Sequence, residues 1–168
     1  MSTHPASTPK LQVRGIRKRF TIKKKGRTHE FLALDGIDLD VQDHEFVAVI
    51  GPSGSGKTTL LKIVAGLIPH DGGEIRIDGQ PVTGPGPDRA VVFQTFGLFP
   101  WKTVLDNVRF PLSIRGVSAE KAEATARANI EKVGLGGFED AHPHQLSGGM
   151  QQRVGLARAL TADPQILL

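Results

Sequence analysis

Gly51-Pro52-Ser53-Gly54-Ser55-Gly56-Lys57-Thr58-Thr59 is the stretch whose reading decides the fold. It fits the phosphate-binding pattern G-x-x-x-x-G-K-[ST] without a mismatch. An apolar run, Phe46-Val47-Ala48-Val49-Ile50, leads into it and predicts a strand buried on both faces. The helical spacing of Leu60, Leu61, Ile63, Val64 and Leu67 comes next, and predicts a helix that stops at Pro69.

The residue types reflect the chemistry. A triphosphate carries several negative charges, and a backbone can wrap it with N–H donors only where side chains stay clear. Gly51, Gly54 and Gly56 allow that approach and the positive φ of a tight loop. The next helix aims its free N–H groups and positive dipole end at the same place. Lys57 supplies a full charge for the β- and γ-phosphates, and the Thr58 hydroxyl is a candidate Mg²⁺ ligand. All nine residues, Pro52, Ser53, Ser55 and Thr59 included, form the candidate nucleotide site.

Working outward, 168 residues suffice for one domain with a real core, or one domain and a small lobe. Twenty-one Lys and Arg against 17 Asp and Glu give a formal charge of +4. The excess is concentrated early, in Lys10, Arg14, Arg17, Lys18, Arg19, Lys23, Lys24, Lys25 and Arg27. Such a patch can meet nucleic acid or anionic lipid, or be a solvated loop between strands; the loop is the reading adopted. With no cysteine, disulfides and thiolate metal sites are excluded. Met1-Ser2-Thr3-His4-Pro5 has no apolar core of a secretory leader, and no apolar run nears the roughly 18 residues of a spanning helix.

Residues 1–9 read as a flexible polar tail. Leu11 to Ile16, Phe31 to Leu34 and the strictly alternating Ile37 to Val41 predict an antiparallel sheet. Glu74 to Ile77 and Val82 flank Asp78-Gly79-Gln80-Pro81, a hairpin signal. Ala90-Val91-Val92-Phe93 predicts a buried strand delivering Gln94 at its C-terminal end, where open parallel sheets bind ligands. Thr103 and Asp106 form a capping-box pattern for a short helix ended by Pro111. Ser118 caps a longer one with Ala122, Ala126, Ile130 and Val133 on one face, stopped by Gly134 to Gly137. Phe138 to Gln145 reads as a loop. A last helix from Ser147 places Met150, Val154 and Ala157 on one side, and Gln165 to Leu168 begins an apolar strand. His142 and His144 sit two apart, but lack the further ligands of a metal site.

Leu146-Ser147-Gly148-Gly149-Met150-Gln151-Gln152-Arg153 narrows the class. A serine and two glycines at a helix start offer bare N–H groups, a hydroxyl and a dipole, a second anion site or a plain helix cap. The phosphate loop, the Phe93-Gln94 step and Leu146-Ser147-Gly148-Gly149 stand in the order and rough spacing of the ATP-binding-cassette (ABC) ATPases. From Leu11 onward the chain resembles that family. Phe96-Gly97-Leu98-Phe99-Pro100-Trp101-Lys102-Thr103-Val104-Leu105-Asp106-Asn107-Val108, with Met150 in the signature, is similar to the importers of nitrate, sulfonate and taurine.

The resemblance implies an α/β P-loop NTPase core of RecA type with an antiparallel β subdomain and a helical subdomain at about 95–160, within an ATP-binding domain of residues 10–168. It implies ATP and Mg²⁺ as ligands. Phe20 resembles the aromatic on which adenine stacks, the alternative being a core phenylalanine. Gln94 resembles the sensor that reaches Mg²⁺ and the attacking water, so Thr58 and Gln94 are the implied metal contacts. Ser147, Gly148 and Gly149 would clasp the γ-phosphate of ATP on the other subunit of a head-to-tail dimer. Trp101 would lie near the groove for a membrane subunit, or be a packing residue. The implied setting is the cytoplasmic face of a membrane, with a homodimer or paired ATPase, permease subunits and, indirectly, a solute-binding protein as partners, and no nucleic acid.

The family's pattern continues past Leu168 with an Asp-Glu pair, the Glu polarising the attacking water, then a dimer-contact loop and a switch histidine. The expectation is therefore a chain ending before its hydrolytic carboxylates, with the C-terminal part of the core missing, unable to hydrolyse ATP alone. Phe46 to Ile50 would then face absent neighbours and leave backbone groups unpaired. Two other readings compete with the importer ATPase: a soluble ABC protein acting on nucleic acid or ribosomes, and a non-hydrolysing ATP-binding remnant.

Overall fold

The structure, a computed structural model, describes residues 8–24 and 26–168. Most of the expected N-terminal tail, and Lys25 of the basic stretch, lie outside the described residues. The chain divides into two compact units, up to Gly86 and from Pro87.

The first unit is built on a long hairpin, β1 (Leu11–Lys24) and β2 (Arg27–Val41). β3 (Gly72–Ile77) lies antiparallel on the other side of β1, and β4 (Gln80–Pro81) pairs with β3, giving the order β2-β1-β3-β4. The alternation of Leu11, Val13, Ile75 and Ile77 buries one face, because strand side chains point to opposite sides in turn. Asp78 and Gly79, at φ 49° and 74°, make the β3–β4 turn with two left-handed residues, a geometry Asp-Gly favours.

Two expectations are corrected by the strands. The basic stretch is not a loop, since Lys18 to Lys24 pair with Leu34 to Arg27 in the ladder. Lys18 is buried and paired with Asp71, whereas Arg19 to Lys23 are exposed, so their cationic side chains cost the pairing little. Phe46 to Ile50 forms no strand, and Phe46 and Ile50 are 93% and 92% exposed. Val and Ile in sequence suit a doubly buried strand, but such a strand needs a ladder partner, and none pairs with it among the described residues.

The helix after the phosphate loop, α1 (Lys57–Val64), buries Leu60, Ile63 and Val64. It stops at Gly66 rather than at Pro69. Gly66, at φ 74°, lets its own N–H reach Ile63 and the Leu67 N–H reach Lys62, at 2.9 Å each. That paired closure satisfies the last carbonyls of the helix.

The second unit holds three helices: α2 (Val104–Ile114), α3 (Ala119–Lys132) and α4 (Gly148–Thr161). Their shared core contains Val104, Val108, Ala126, Ile130, Leu135, Leu146, Val154 and Ala157. α2 runs through Pro111 instead of ending there. The ring removes one backbone bond, and burial of Val104, Leu105 and Val108 holds the remaining turns. Thr103 accepts the Asp106 N–H at 3.1 Å, while the Asp106 carboxylate pairs with Arg109 at 2.7 Å rather than closing the box. A 3₁₀ turn, Pro143–Gln145, lies in the expected loop before the signature. Short strands β5 (Arg89–Ala90) and β6 (Ile166–Leu167) pair in parallel. β5 is shorter than the strand expected to Phe93, although the Val92 N–H still donates to Leu168 at 2.8 Å.

Candidate functional site

Contacts with β2 and bonds from Lys57 hold the phosphate loop in shape. Gly54 and Gly56 sit at φ 83° and 89°, where a Cβ is strained. A Cβ at Gly56 would come within 2.7 Å of the Ala33 oxygen and of Leu34 Cδ2, so loop and strand touch at that point. Lys57 folds back across the loop and donates to the carbonyls of Gly51 and Pro52, each at 2.7 Å, and to Ser55 Oγ at 3.2 Å. No acidic residue occupies the first turn of α1, and its cap, Gly56, offers no side-chain acceptor. The N–H groups of Lys57, Thr58 and Thr59 precede the first intrahelical bond, which is Leu60 N–H to Gly56 at 2.9 Å. An ammonium and open N–H donors therefore converge where no carboxylate competes, which is an anion cradle.

Phe20 lies on β1 with Phe31 as its cross-strand partner. Phe31 is two residues before Ala33, which touches the loop, so the hairpin carries the aromatic pair just beyond the cradle. Phe20 is 37% exposed, so it is not a core residue, and Lys18 Nζ stands 5.5 Å from its ring centre. Lys18 also pairs with Asp71 at 3.1 Å. The Arg19 N–H, at 2.6 Å, and then Lys18 hold the Asp71 carboxyl below its ordinary range.

The Thr58 hydroxyl is exposed and makes no hydrogen bond to the described residues, and the same holds for the Gln94 amide. Both are neutral hard oxygens, the donor type that suits Mg²⁺ beside phosphate oxygens. His142 and His144 have ring centres 5.8 Å apart, and the His142 N–H donates to Gln145 at 2.7 Å. No group of three His, Cys, Asp or Glu able to hold a metal occurs among the described residues.

Ser147 caps α4 through Met150 N–H at 3.3 Å. Gly148 and Gly149 are exposed, and a Cβ at either would meet nothing within 4 Å. Gln151 fastens the turn before them, donating to Pro143 at 2.9 Å.

Two residues were not singled out from sequence. Asn107 is fully buried; it accepts from Phe99 N–H at 2.8 Å and donates to the carbonyls of Phe99, Lys102 and Thr103. It thereby fixes the loop that presents Trp101, which is 71% exposed. An amide on the apolar face of α2, between Val104 and Val108, was a legible signal for it. Arg158 donates to the carbonyls of Gly97 and Phe96 at 2.8 and 2.9 Å, contacts that no spacing rule predicts.

The family model described as ABC transporter matches residues 34–168. An uncharacterised ABC transporter ATP-binding protein of Methanocaldococcus jannaschii is 50% identical over 95% of this chain and 58% of its own. A nitrate import ATP-binding protein of Synechocystis sp. is 48% identical over 85% of this chain and 54% of its own. A taurine import ATP-binding protein of Escherichia coli is 49% identical over 81% and 53%. The chain thus spans little more than half the length of these relatives. A solved dimeric ATP-binding cassette, in a post-hydrolysis state bound to ADP and phosphate, superposes with a TM-score of 0.83. It is 33% identical, over 94% of this chain and 72% of that one.

Proposed function

The chain belongs to the ABC transporter family of ATP-binding proteins, and we propose that it is the nucleotide-binding part of an importer's ATPase subunit. The observation that carries this is the cradle itself: Lys57 laid across the loop on the Gly51 and Pro52 carbonyls, ahead of open helix N–H groups. ATP exchanges those carbonyls for phosphate oxygens, a charge-assisted contact and so a stronger one. Gly51 to Thr59 bind the phosphates, and Phe20 offers a stacking face for adenine. Mg²⁺, when bound, supplies charge neutralisation between phosphate oxygens, with Thr58 and Gln94 as the residues of this chain that would hold it.

Ser147, Gly148 and Gly149 are the surface that receives the phosphates of a second subunit's nucleotide. A dimeric cassette among the solved relatives supports that reading. The solute is a small anion or sulfonate, by the names of the nitrate and taurine import relatives. No helix among the described residues is long and apolar enough to cross a membrane. Permease subunits would do the crossing, with this chain on the cytoplasmic face, a reading supported by the nitrate and taurine import relatives.

Residues 1–168 by themselves bind nucleotide without turning it over. The acidic side chains nearest Gln94 in sequence are both engaged, Asp88 with Arg89 and Asp106 with Arg109, at 2.7 Å each.

Titration of the full-length protein with a fluorescent ATP analogue tests the core of the proposal. Lys57→Ala removes the one cation of the cradle and is expected to abolish measurable binding. Unchanged affinity would sink the assignment.

A further inference from the structure

Arg158 is a half-buried cation on α4, about three turns beyond Ser147. Among the described residues it pairs with no carboxylate. Its two terminal nitrogens donate instead to consecutive backbone carbonyls, Nη1 to Gly97 at 2.8 Å and Nη2 to Phe96 at 2.9 Å. Its guanidinium carbon lies 5.8 Å from the centre of the Phe99 ring. Burial with no anion to offset it pushes the guanidinium pKa down, so the position carries an electrostatic cost.

The carbonyls it holds belong to an unusual turn. Phe96 and Gly97 are successive left-handed residues, at φ 56° and 54°, and a phenylalanine rarely adopts that region. Such backbone persists only where its surroundings over-determine it. One turn back on α4, Gly155 is buried, and a Cβ there would lie 3.6 Å from the Phe96 oxygen. The helix thus provides a bare seat at Gly155 and a two-pronged donor at Arg158 for the loop just after Gln94.

We propose that Arg158 is a positioning residue: it fastens the loop that carries Gln94 to the helix that begins at Ser147, so that the two move as one piece. The consequence for turnover rests on the reading of Gln94 as the Mg²⁺ and water sensor. Gln94 itself makes no hydrogen bond to the described residues, so its place is set by the adjoining backbone of residues 95–98. A planar fork meets two carbonyls at once, whereas one ammonium cannot hold both in that geometry.

The test uses the full-length protein and four forms: wild type, Arg158→Met, Gln94→Ala and the double variant. Arg158→Met keeps an apolar stem while removing both donors and the guanidinium beside the Phe99 ring. Hydrogen exchange at residues 95–98 should accelerate in Arg158→Met. Its kcat should fall by ~10- to ~100-fold, as expected for a misplaced catalytic loop, with KM for ATP little changed. The double variant should be no slower than Gln94→Ala, because Arg158 acts only through the loop. Arg158→Lys should not rescue turnover, and it carries the same test should Arg158→Met fail to fold.

Unchanged exchange, or losses that multiply in the double variant, would overturn the proposal. Normal turnover in Gln94→Ala would instead remove the sensor reading. Arg158 then stands as the loop's positioning residue if its own variant frees the loop and slows turnover, and falls if it does neither.

Discussion

Gly56→Ala is the sharpest perturbation of the cradle, because the structure says both why it is costly and how much. At φ 89° an alanine enters the left-handed region, at a cost of about 1–2 kcal/mol. Its Cβ would also sit 2.7 Å from the Ala33 oxygen and from Leu34 Cδ2. The first is backbone of β2, at the irregularity between the paired Leu32 and Leu34, so overpacking there adds about 1–3 kcal/mol. The sum is about 2–5 kcal/mol. Gly54→Ala shares the positive φ, 83°, but its Cβ would meet nothing within 4 Å, leaving only about 1–2 kcal/mol. Gly149→Ala has neither problem and sits in a helix, where alanine is neutral or gains up to about 1 kcal/mol. Urea unfolding of the full-length protein, followed by circular dichroism, should rank the three in that order. Nucleotide affinity of the monomer should fall with Gly56→Ala and stay near wild type with Gly149→Ala, which lies outside its own phosphate loop. If Gly56→Ala and Gly54→Ala agreed within about 0.5 kcal/mol, the contact between the loop and β2 would be refuted.

Three further outcomes are expected. Ser147→Arg in the full-length protein should leave ATP binding by the monomer intact and abolish an ATP-driven dimer on size exclusion; a dimer with normal turnover would remove the role of Ser147 towards a second subunit. Residues 1–168 expressed alone should release no phosphate above a Lys57→Ala control, and clear hydrolysis would reveal a catalytic base within them. Asp71→Asn should lower the melting temperature at pH 7. Because folding depresses the Asp71 pKa, its contribution is complete above the unfolded value of about 3.9 and disappears as pH falls through the folded value, so variant and wild type should converge in acid.

The features legible in sequence are those that depend on local chemistry. The phosphate loop, the hairpin at Asp78-Gly79, the Thr103 and Ser147 caps and the glycine stop after Val133 all arise from bonds within a few residues. Gly134, at φ 66°, closes α3 with its N–H on Glu131, and the Leu135 N–H returns to Ile130. The errors lie where distant partners decide. Lys18 to Lys24 read as loop because charge suggests solvent, yet Lys18 is buried against Asp71 and the exposed Arg19 to Lys23 still pair as strand. Pro111 read as a stop because its missing N–H is local, while the packing that outweighs it is not. Phe46 to Ile50 read as the most buried strand, but burial depends on the strands alongside. Arg158 was invisible for the same reason, since its acceptors are 61 and 62 residues away.

The exposed approach to the loop changes the account of how the cradle is shaped. In the sequence pattern the strand before Gly51 positions the phosphate loop. In the structure that segment has no ladder partner among the described residues, while Gly54 and Gly56 hold their positive φ and Lys57 its bond to the Gly51 carbonyl. Among the described residues the loop is braced from β2 and α1: Leu60, Ile63 and Val64 bury α1, and Gly56 abuts β2 at Ala33 and Leu34. Lys57 closes the loop on itself through the Gly51 and Pro52 carbonyls. Phe46 to Ile50 consequently carries a different burden. It exposes Phe46 and Ile50 almost fully and leaves its backbone without a ladder, a combination that invites pairing with another strand. Substitution of Leu34 or Ile63 by Ala should lower nucleotide affinity, because Leu34 lies against Gly56 and Ile63 is buried on α1, so both support the loop directly.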